Sequence, residues 1–211
     1  MASRTIISDG TANTPLAAML PPNLEHGISH DDMTCTAQRC ARAIAAGTAH
    51  VEPAFLDGAL LEEARAACSS SLQALAPPML RVVAAIESLR VALSAACSRS
   101  LLSTAELTLL RYRPGGSYRR HLDDKPGLAL GGASRRSLSL LIYLTPTDWA
   151  ATDGGELRVF PHPGQAKPIN FDVLPRAGTL VVFDSATVPH EVLMTHRERV
   201  VLTGWLQEAT F

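Results

Sequence analysis

The chain has no apolar run of membrane-spanning length, so neither a transmembrane segment nor a membrane partner is expected. It also lacks an excess of either charge, since 19 Lys and Arg against 20 Asp and Glu leave a formal net charge of -1. No global field draws in nucleic acid, and no nucleic-acid partner is expected. The opening stretch shows no basic region followed by an apolar core, which argues against a secretory leader; its Ser, Thr and Ala content leaves an organelle transit peptide open. The cysteines Cys35, Cys40, Cys68 and Cys97 form no Cys-x-x-Cys pair. They read as buried or half-buried free thiols in a reducing compartment, the cytoplasm or, in a eukaryote, the nucleus. No internal repeat is visible. What remains is 211 residues, 46% of them apolar, enough for one domain with a substantial core and incompatible with general disorder.

Residues 1–36 are rich in Pro, Asn, Ser, Thr and Gly without periodicity, and read as a flexible extension; residues 37–211 read as a single domain. A short helix is expected over Ala37–Ala46. His50–Leu56 suits a strand leading into helices over Leu60–Leu75 and Met79–Cys97, which Pro77-Pro78 separates. After Ser103 the texture changes to short strand-like runs: Leu107–Tyr112, Leu138–Leu144, Leu157–Phe160, Thr179–Phe183 and Val200–Leu206. Turn signals such as Pro114-Gly115-Gly116, Asp153-Gly154-Gly155 and Ala177-Gly178 divide them. Helices first and many short strands afterwards predict an α+β protein whose functional half is a β-sandwich or jelly roll.

Four residues carry the chemistry. His121 and Asp123 are two positions apart, and alternate residues of an extended strand project to one side, so an imidazole and a carboxylate can grip one ion. His190, at the end of another apolar run, completes a set of two His and one carboxylate with three positions left open, the arrangement of non-haem Fe(II) oxygenases. Arg199 offers a planar, permanently charged fork suited to bidentate capture of a carboxylate cosubstrate. Together they read as an iron and 2-oxoglutarate site. His196 is the competing distal ligand, and His162 reads as a loop residue. Asp124 would face away from the pair in a regular strand, in a solvent or supporting role. Trp149 and Trp205 read as core. The locally basic stretch Arg111 to Arg120, with Tyr112 and Tyr118 interleaved, fits a solvated rim beside an anionic site better than a nucleic-acid surface.

The stretch Tyr112-Arg-Pro-Gly-Gly-Ser-Tyr118-Arg-Arg-His121-Leu-Asp123 resembles the approach to the site in prolyl-hydroxylase-type 2-oxoglutarate dioxygenases. Leu140-Leu-Ile-Tyr143-Leu, Trp149, Asp153-Gly-Gly-Glu-Leu-Arg-Val-Phe160, Pro189-His190-Glu-Val192, Arg197-Glu-Arg199 and Thr203-Gly-Trp205 follow in the same order. The resemblance covers residues 47–208 and is to the hypoxia-factor prolyl hydroxylases and their bacterial relatives. It implies a double-stranded β-helix (a jelly roll) flanked by N-terminal helices, with His121, Asp123 and His190 on Fe(II). It further implies that Arg199 and Tyr143 hold the distal carboxylate of 2-oxoglutarate, that Tyr112 and Thr203 line that pocket, and that Arg136 faces the substrate. The segment Asp124–Arg136 departs from the family pattern and leaves substrate recognition open there.

The implied reaction consumes O2 and 2-oxoglutarate, forms succinate and CO2, and hydroxylates a prolyl residue in a protein or peptide, with ascorbate as a possible reductant. No catalytic acid or base beyond the metal ligands is nominated, because metal and cosubstrate carry the hard chemistry. A free amino acid or small metabolite is the alternative substrate. A catalytically silent jelly roll that binds metal or peptide is the alternative from another class.

Overall fold

The first half of the chain carries three helices: α1 (His30–Ala45), α2 (Gly58–Ser70) and α3 (Pro77–Ala96). They belong to a computed structural model that describes residues 4–7, 18, 20, 21, 24–70, 76–124, 134–161 and 169–210. The first helix starts earlier than the expected Ala37, for a local reason. Ser29 caps it by accepting from the Asp32 backbone N–H at 3.1 Å, and Asp31 and Asp32 place negative charge at the positive end of the helix dipole. Residues 30–36 of the expected extension thus belong to α1, and residues 4–7 form strand β1 (Arg4–Ile7). In α3, Pro77 and Pro78 occupy the first turn, where a missing N–H costs nothing, so the proline pair starts the helix as well as breaking the chain before it. Residues 71–75 of the expected second helix lie outside the described residues.

The β half forms two antiparallel sheets. The larger holds β1, β2 (His50–Glu52), β3 (Leu101–Tyr112), β5 (Ser134–Tyr143), β8 (Leu180–Asp184) and β10 (Arg199–Ala209), in the order β1-β3-β10-β5-β8-β2. The smaller holds β4 (Tyr118–His121), β6 (Leu157–Val159), β7 (Phe171–Val173) and β9 (His190–Val192), in the order β4-β9-β6-β7. Together they make the jelly roll, with the helices laid on the outside of the larger sheet.

The period-two geometry of the strands sorts side chains between two cores. Even-numbered residues of β5, β8 and β10 (Leu140, Ile142, Val182 and Leu202 among them) pack outward against Val82, Ile86 and Leu89 of α3 and Ala37 of α1. Odd-numbered neighbours (Leu141, Tyr143, Val181, Phe183 and Val201) point inward and meet Leu157, Val159, Val173 and Val192 of the smaller sheet. Each fully buried Leu, Val or Phe contributes about 1.5–3 kcal/mol of transfer free energy, so the larger sheet is fastened on both faces. Its strands consequently read as continuous apolar runs rather than clean alternation.

Gly178 ties the two layers together. Its N–H donates to the Tyr143 carbonyl (2.8 Å) and its own carbonyl accepts from Leu56 N–H (3.0 Å), joining β5, the approach to β8 and the loop before α2. It sits at φ +77°, and a Cβ there would lie 2.1 Å from the Leu56 carbonyl oxygen. Gly178→Ala is therefore expected to cost about 3 kcal/mol, the left-handed penalty plus displacement of a packed backbone, and to lower Tm accordingly in a thermal melt.

Candidate active site

The inward parity that builds the second core also builds a cavity. Arg199, Val201, Thr203 and Trp205 of β10, Glu106, Thr108, Leu110 and Tyr112 of β3, and the ends of β4 and β9 line a space of about 730 Å³. At its centre His121, Asp123 and His190 lie with one ligand atom each inside 4.8 Å of the others. His121 and His190 are direct cross-strand partners in the β4–β9 pairing, with ring centroids 4.3 Å apart. His121 Nε2 is 3.3 Å from Asp123 Oδ1, and His190 Nε2 is 3.7 Å from Asp123 Oδ2. Both rings face a backbone carbonyl through the other nitrogen: His121 Nδ1 is 3.0 Å from Arg119 O, and His190 Nδ1 is 3.2 Å from Val188 O. Those bonds require the proton on Nδ1 and leave each Nε2 bare, the tautomer a metal needs.

Asp123 reaches the histidines by a different route from the one its spacing suggests. β4 ends at His121, and residues 123 and 124 form a bend. The bend is held by the Ser185 carbonyl, which accepts from the N–H groups of Asp123 (3.1 Å) and Asp124 (3.0 Å). The carboxylate is then aimed by Ser139, whose hydroxyl donates to Asp123 Oδ2 at 2.7 Å and meets Ser185 Oγ at 2.8 Å. The turn carrying Ser185 is built on Asp184, whose Oδ1 accepts from Ala186 N, Thr187 N and Thr187 Oγ1 at 3.0 Å each. Arg99, just before β3, closes the chain of support on Asp184 Oδ2 at 2.6 Å.

Electrostatics favour a charged carboxylate beside a neutral His190 ring. Burial alone would raise the Asp123 carboxyl, but His121, His190 and Ser139 outweigh it and hold it at about 2. Burial, seconded by His121, pushes the His190 imidazole below its ordinary value despite Asp123. A charged His190 would serve Asp123 and an uncharged one suits the apolar wall. Burial decides for the neutral ring, whose one proton, on Nδ1, is donated to the Val188 carbonyl. One anion and two bare imidazole nitrogens form a donor set that fits Fe(II).

Arg199 forms the cavity floor. The residue is 0% exposed, and its Nε donates to the Gly155 carbonyl at 2.9 Å. Gly155 lies at φ +74°, and a Cβ there would come within 3.0 Å of the arginine Cδ, so only glycine lets the two meet. The rings of Tyr112 and Tyr143 flank the guanidinium, each centroid 5.0 Å from its carbon. Both terminal nitrogens of Arg199 and the Tyr143 hydroxyl are buried without a hydrogen-bond partner among the described residues. Burial raises the Tyr143 hydroxyl, with Arg199 opposing, so it stays a protonated donor. Such orphaned donors are costly unless a ligand fills them, and a carboxylate matches the fork and the hydroxyl. This is the fit a 2-oxoglutarate carboxylate demands, and Thr203 lines the same space.

Other expectations meet mixed outcomes. Arg136 lines the cavity, but its charge is committed to Glu106, with Nε at 3.0 Å and Nη2 at 2.5 Å from the two carboxylate oxygens. Trp205, expected in the core, is half-buried on the cavity wall, with the Arg136 guanidinium carbon 3.9 Å over its ring; its odd position in β10 decides this. Trp149 is buried and donates to the Gly154 carbonyl (3.1 Å). His196 is exposed and away from the other two histidines, which removes it as a rival ligand. His162 and residues 125–133 lie outside the described residues. All four cysteines are free, with Cys35 exposed rather than buried. Ser139 and Ser185 carry no sequence signal of their own; strand parity and the turn at Asp184 bring them to the site.

Two outcomes are expected. Ser139→Ala should weaken metal binding about 10–100-fold by calorimetric titration while leaving the histidines in place. Asp184→Asn should cost about 1–3 kcal/mol in urea unfolding at neutral pH. Burial would raise the Asp184 carboxyl, but Arg99 and the turn hold it below its ordinary value, so its stabilisation is present above the unfolded value and lost as pH falls through the folded one. The gap between wild type and Asp184→Asn should therefore shrink on acidification below about pH 4.

Comparison with known proteins agrees with this geometry. Residues 107–207 match the 2OG-Fe(II) oxygenase superfamily. A PKHD-type hydroxylase of Maricaulis maris is 31% identical over 103 residues, 49% of this chain; the match spans only 42% of that relative. The crystal structure of a Pseudomonas putida prolyl-4-hydroxylase superposes with a TM-score of 0.71 at 30% identity, covering 82% of this chain and 99% of that one. A Trichoplax adhaerens prolyl hydroxylase, solved with a hypoxia-inducible-factor peptide fragment, superposes with a TM-score of 0.70 at 16% identity, covering 87% and 95%. On its fold, its His-Asp-His cluster and its likeness to these proteins, the chain belongs to the 2OG-Fe(II) oxygenase superfamily.

Proposed function

We propose that this chain is a 2-oxoglutarate-dependent dioxygenase that hydroxylates a prolyl residue in a protein or peptide. The observation that carries the proposal is the pairing, in one cavity, of the His121, Asp123, His190 cluster with the orphaned donors of Arg199. A binding module without turnover has no use for a buried guanidinium aimed beside an incomplete ligand set. His121 Nε2, His190 Nε2 and an Asp123 oxygen would hold Fe(II); Arg199 and Tyr143 would hold the distal carboxylate of 2-oxoglutarate, with Tyr112 and Thr203 beside it. Bound iron and 2-oxoglutarate supply the oxidising chemistry, in which O2 is consumed, succinate and CO2 form, and one oxygen atom enters a C–H bond.

The residues supply order and dryness. Arg99, Asp184, Ser185 and Ser139 fix the carboxylate in advance, so little reorganisation is left for the reaction. Phe183, 4.6 Å from the His190 ring, and Leu141, Leu157 and Val192 exclude water from the metal side. The wall made by Trp205 and Arg136 offers a flat, partly apolar face against which a prolyl ring packs. The likeness to prolyl hydroxylases, one of them solved with a peptide, supports a polypeptide substrate. Ascorbate as a reductant belongs to the same proposal and is read from whether it prolongs turnover.

Mass spectrometry of proteins and proline-containing peptides incubated with the loaded enzyme should find one added oxygen on proline. Efficient hydroxylation of free proline or another metabolite, with no polypeptide modified, would overturn the substrate assignment. Arg199→Ala should raise the 2-oxoglutarate requirement roughly tens to a few hundredfold, as lost charge-assisted hydrogen bonds dictate, with metal binding largely kept. Tyr143→Phe should show a smaller loss of the same kind in succinate assays.

A further inference from the structure

We infer that the polypeptide substrate is acidic, carrying Asp or Glu beside the target residue, and that Arg119 and Arg120 read that charge. The inference rests on the proposed function and deepens it. It begins with an irregularity in β4. Tyr118 pairs with Val192 and His121 pairs with His190, so Arg119 and Arg120 together oppose the single residue Glu191. One extra residue in one strand of an antiparallel pair is a β-bulge, a device that re-aims side chains beside sites. In an unbroken strand the two arginines would point to opposite faces. Here both line the cavity that holds the His121, Asp123, His190 cluster.

Both arginines are exposed, and neither meets a carboxylate within salt-bridge distance among the described residues. Their neighbours differ. Arg111 is paired with Glu198, Arg136 with Glu106, Arg158 with Asp172 and Arg197 with Asp148 and Asp153. Of the acidic groups near the rim, Glu106 is engaged by Arg136, Asp123 by the histidines, and Glu191 with Arg158 at 3.8 Å, and Asp124 meets neither arginine within salt-bridge distance. The guanidinium carbon of Arg120 lies 3.9 Å over the Phe160 ring, which steadies the group while leaving its edge N–H donors to a ligand. A chain of near-zero net charge thus keeps two uncompensated cations at the mouth of its site.

An anionic partner of polypeptide type fits better than nucleic acid. Two cations are few for a phosphate backbone, and the aromatic residue between them and the metal cluster, Tyr118, is edge-packed on His121 at 4.5 Å rather than presented as a stacking platform.

The test uses the full chain with Fe(II) and 2-oxoglutarate under anaerobic conditions, and fluorescent proline peptides whose flanking residues are Glu, Gln or Lys. Anisotropy should show the Glu peptide binding roughly tenfold tighter than the Gln peptide at low salt, with Lys weakest and the differences collapsing in high salt. Aerobic kcat/KM by mass spectrometry should follow the same order. The double variant Arg119→Glu, Arg120→Glu should invert the preference toward Lys, and Arg119→Lys, Arg120→Lys should keep the preference for Glu. If the charge-reversed variant does not fold, as judged by its melt, the peptide and salt series on the unaltered chain decides alone. Equal binding and turnover of all three peptides would overturn the inference and leave the proposed function standing, whereas hydroxylation of no peptide would overturn the function itself. A single-stranded oligonucleotide that displaces the Glu peptide at lower concentration than unlabelled Glu peptide would likewise overturn the inference, in favour of nucleic acid.

Discussion

A guanidinium with no solvent exposure and, among the described residues, one internal hydrogen bond is the constraint around which the barrel is organised. Stripping water from a charge costs several kcal/mol, and the protein recovers only part of that at Gly155 and through the two flanking tyrosine rings. The rest is left for a ligand. Several features follow from this one decision. The Asp153-Gly-Gly turn must bring a bare backbone carbonyl to the arginine, Tyr143 must keep its proton, and β10 must run through the middle of the larger sheet, where both faces are sealed. A site that holds its charge dry and ready gains a strong, oriented grip on an anion at the expense of the empty protein's stability.

The metal side obeys the opposite logic, with its carboxylate and both imidazoles held by hydrogen bonds from within. The aspartate is reached from a bend, and the bend from a turn, and the turn from an arginine at the junction of helix and sheet. That sequence of contacts couples the helical layer to the iron side of the cavity by rigid, short-range bonds. The anion-binding floor relies on burial and the metal side on satisfied hydrogen bonds.

How much of this was legible in the residues depends on the range of the interactions involved. His121, Asp123, His190, Arg199 and Tyr143 announce themselves by chemical type and order, since few other arrangements use an imidazole, carboxylate and arginine in that sequence. The long strands β5 and β10 were visible as apolar runs, and their jelly-roll assignment stands. Of the three-residue strands, β2 and β6 showed inside longer expected runs, whereas β7 and β9 are too short for any periodicity to register. The early start of α1 was written in Ser29 and Asp32 but masked by the polar composition around them. Ser139 looks like any small residue of an apolar strand, and Trp205 like any core aromatic, until parity in β5 and β10 is counted from Tyr143 and Arg199. The bulge at Arg119-Arg120 needs the pairing partner on β9, and no local pattern contains it.

That parity has an evolutionary reading. On β10 the residues facing the helices (Val200, Leu202, Leu206) and those facing the cavity (Arg199, Thr203, Trp205) alternate along one backbone. Two separate selective pressures therefore act on interleaved positions with little crosstalk. Drift on the even positions trades one aliphatic volume for another and is felt as foldability. Change at a cavity-facing position such as Trp205, half-buried on the wall, leaves the sheet standing and alters what the cavity admits. A strand of this kind lets a lineage explore new substrates without first rebuilding its scaffold.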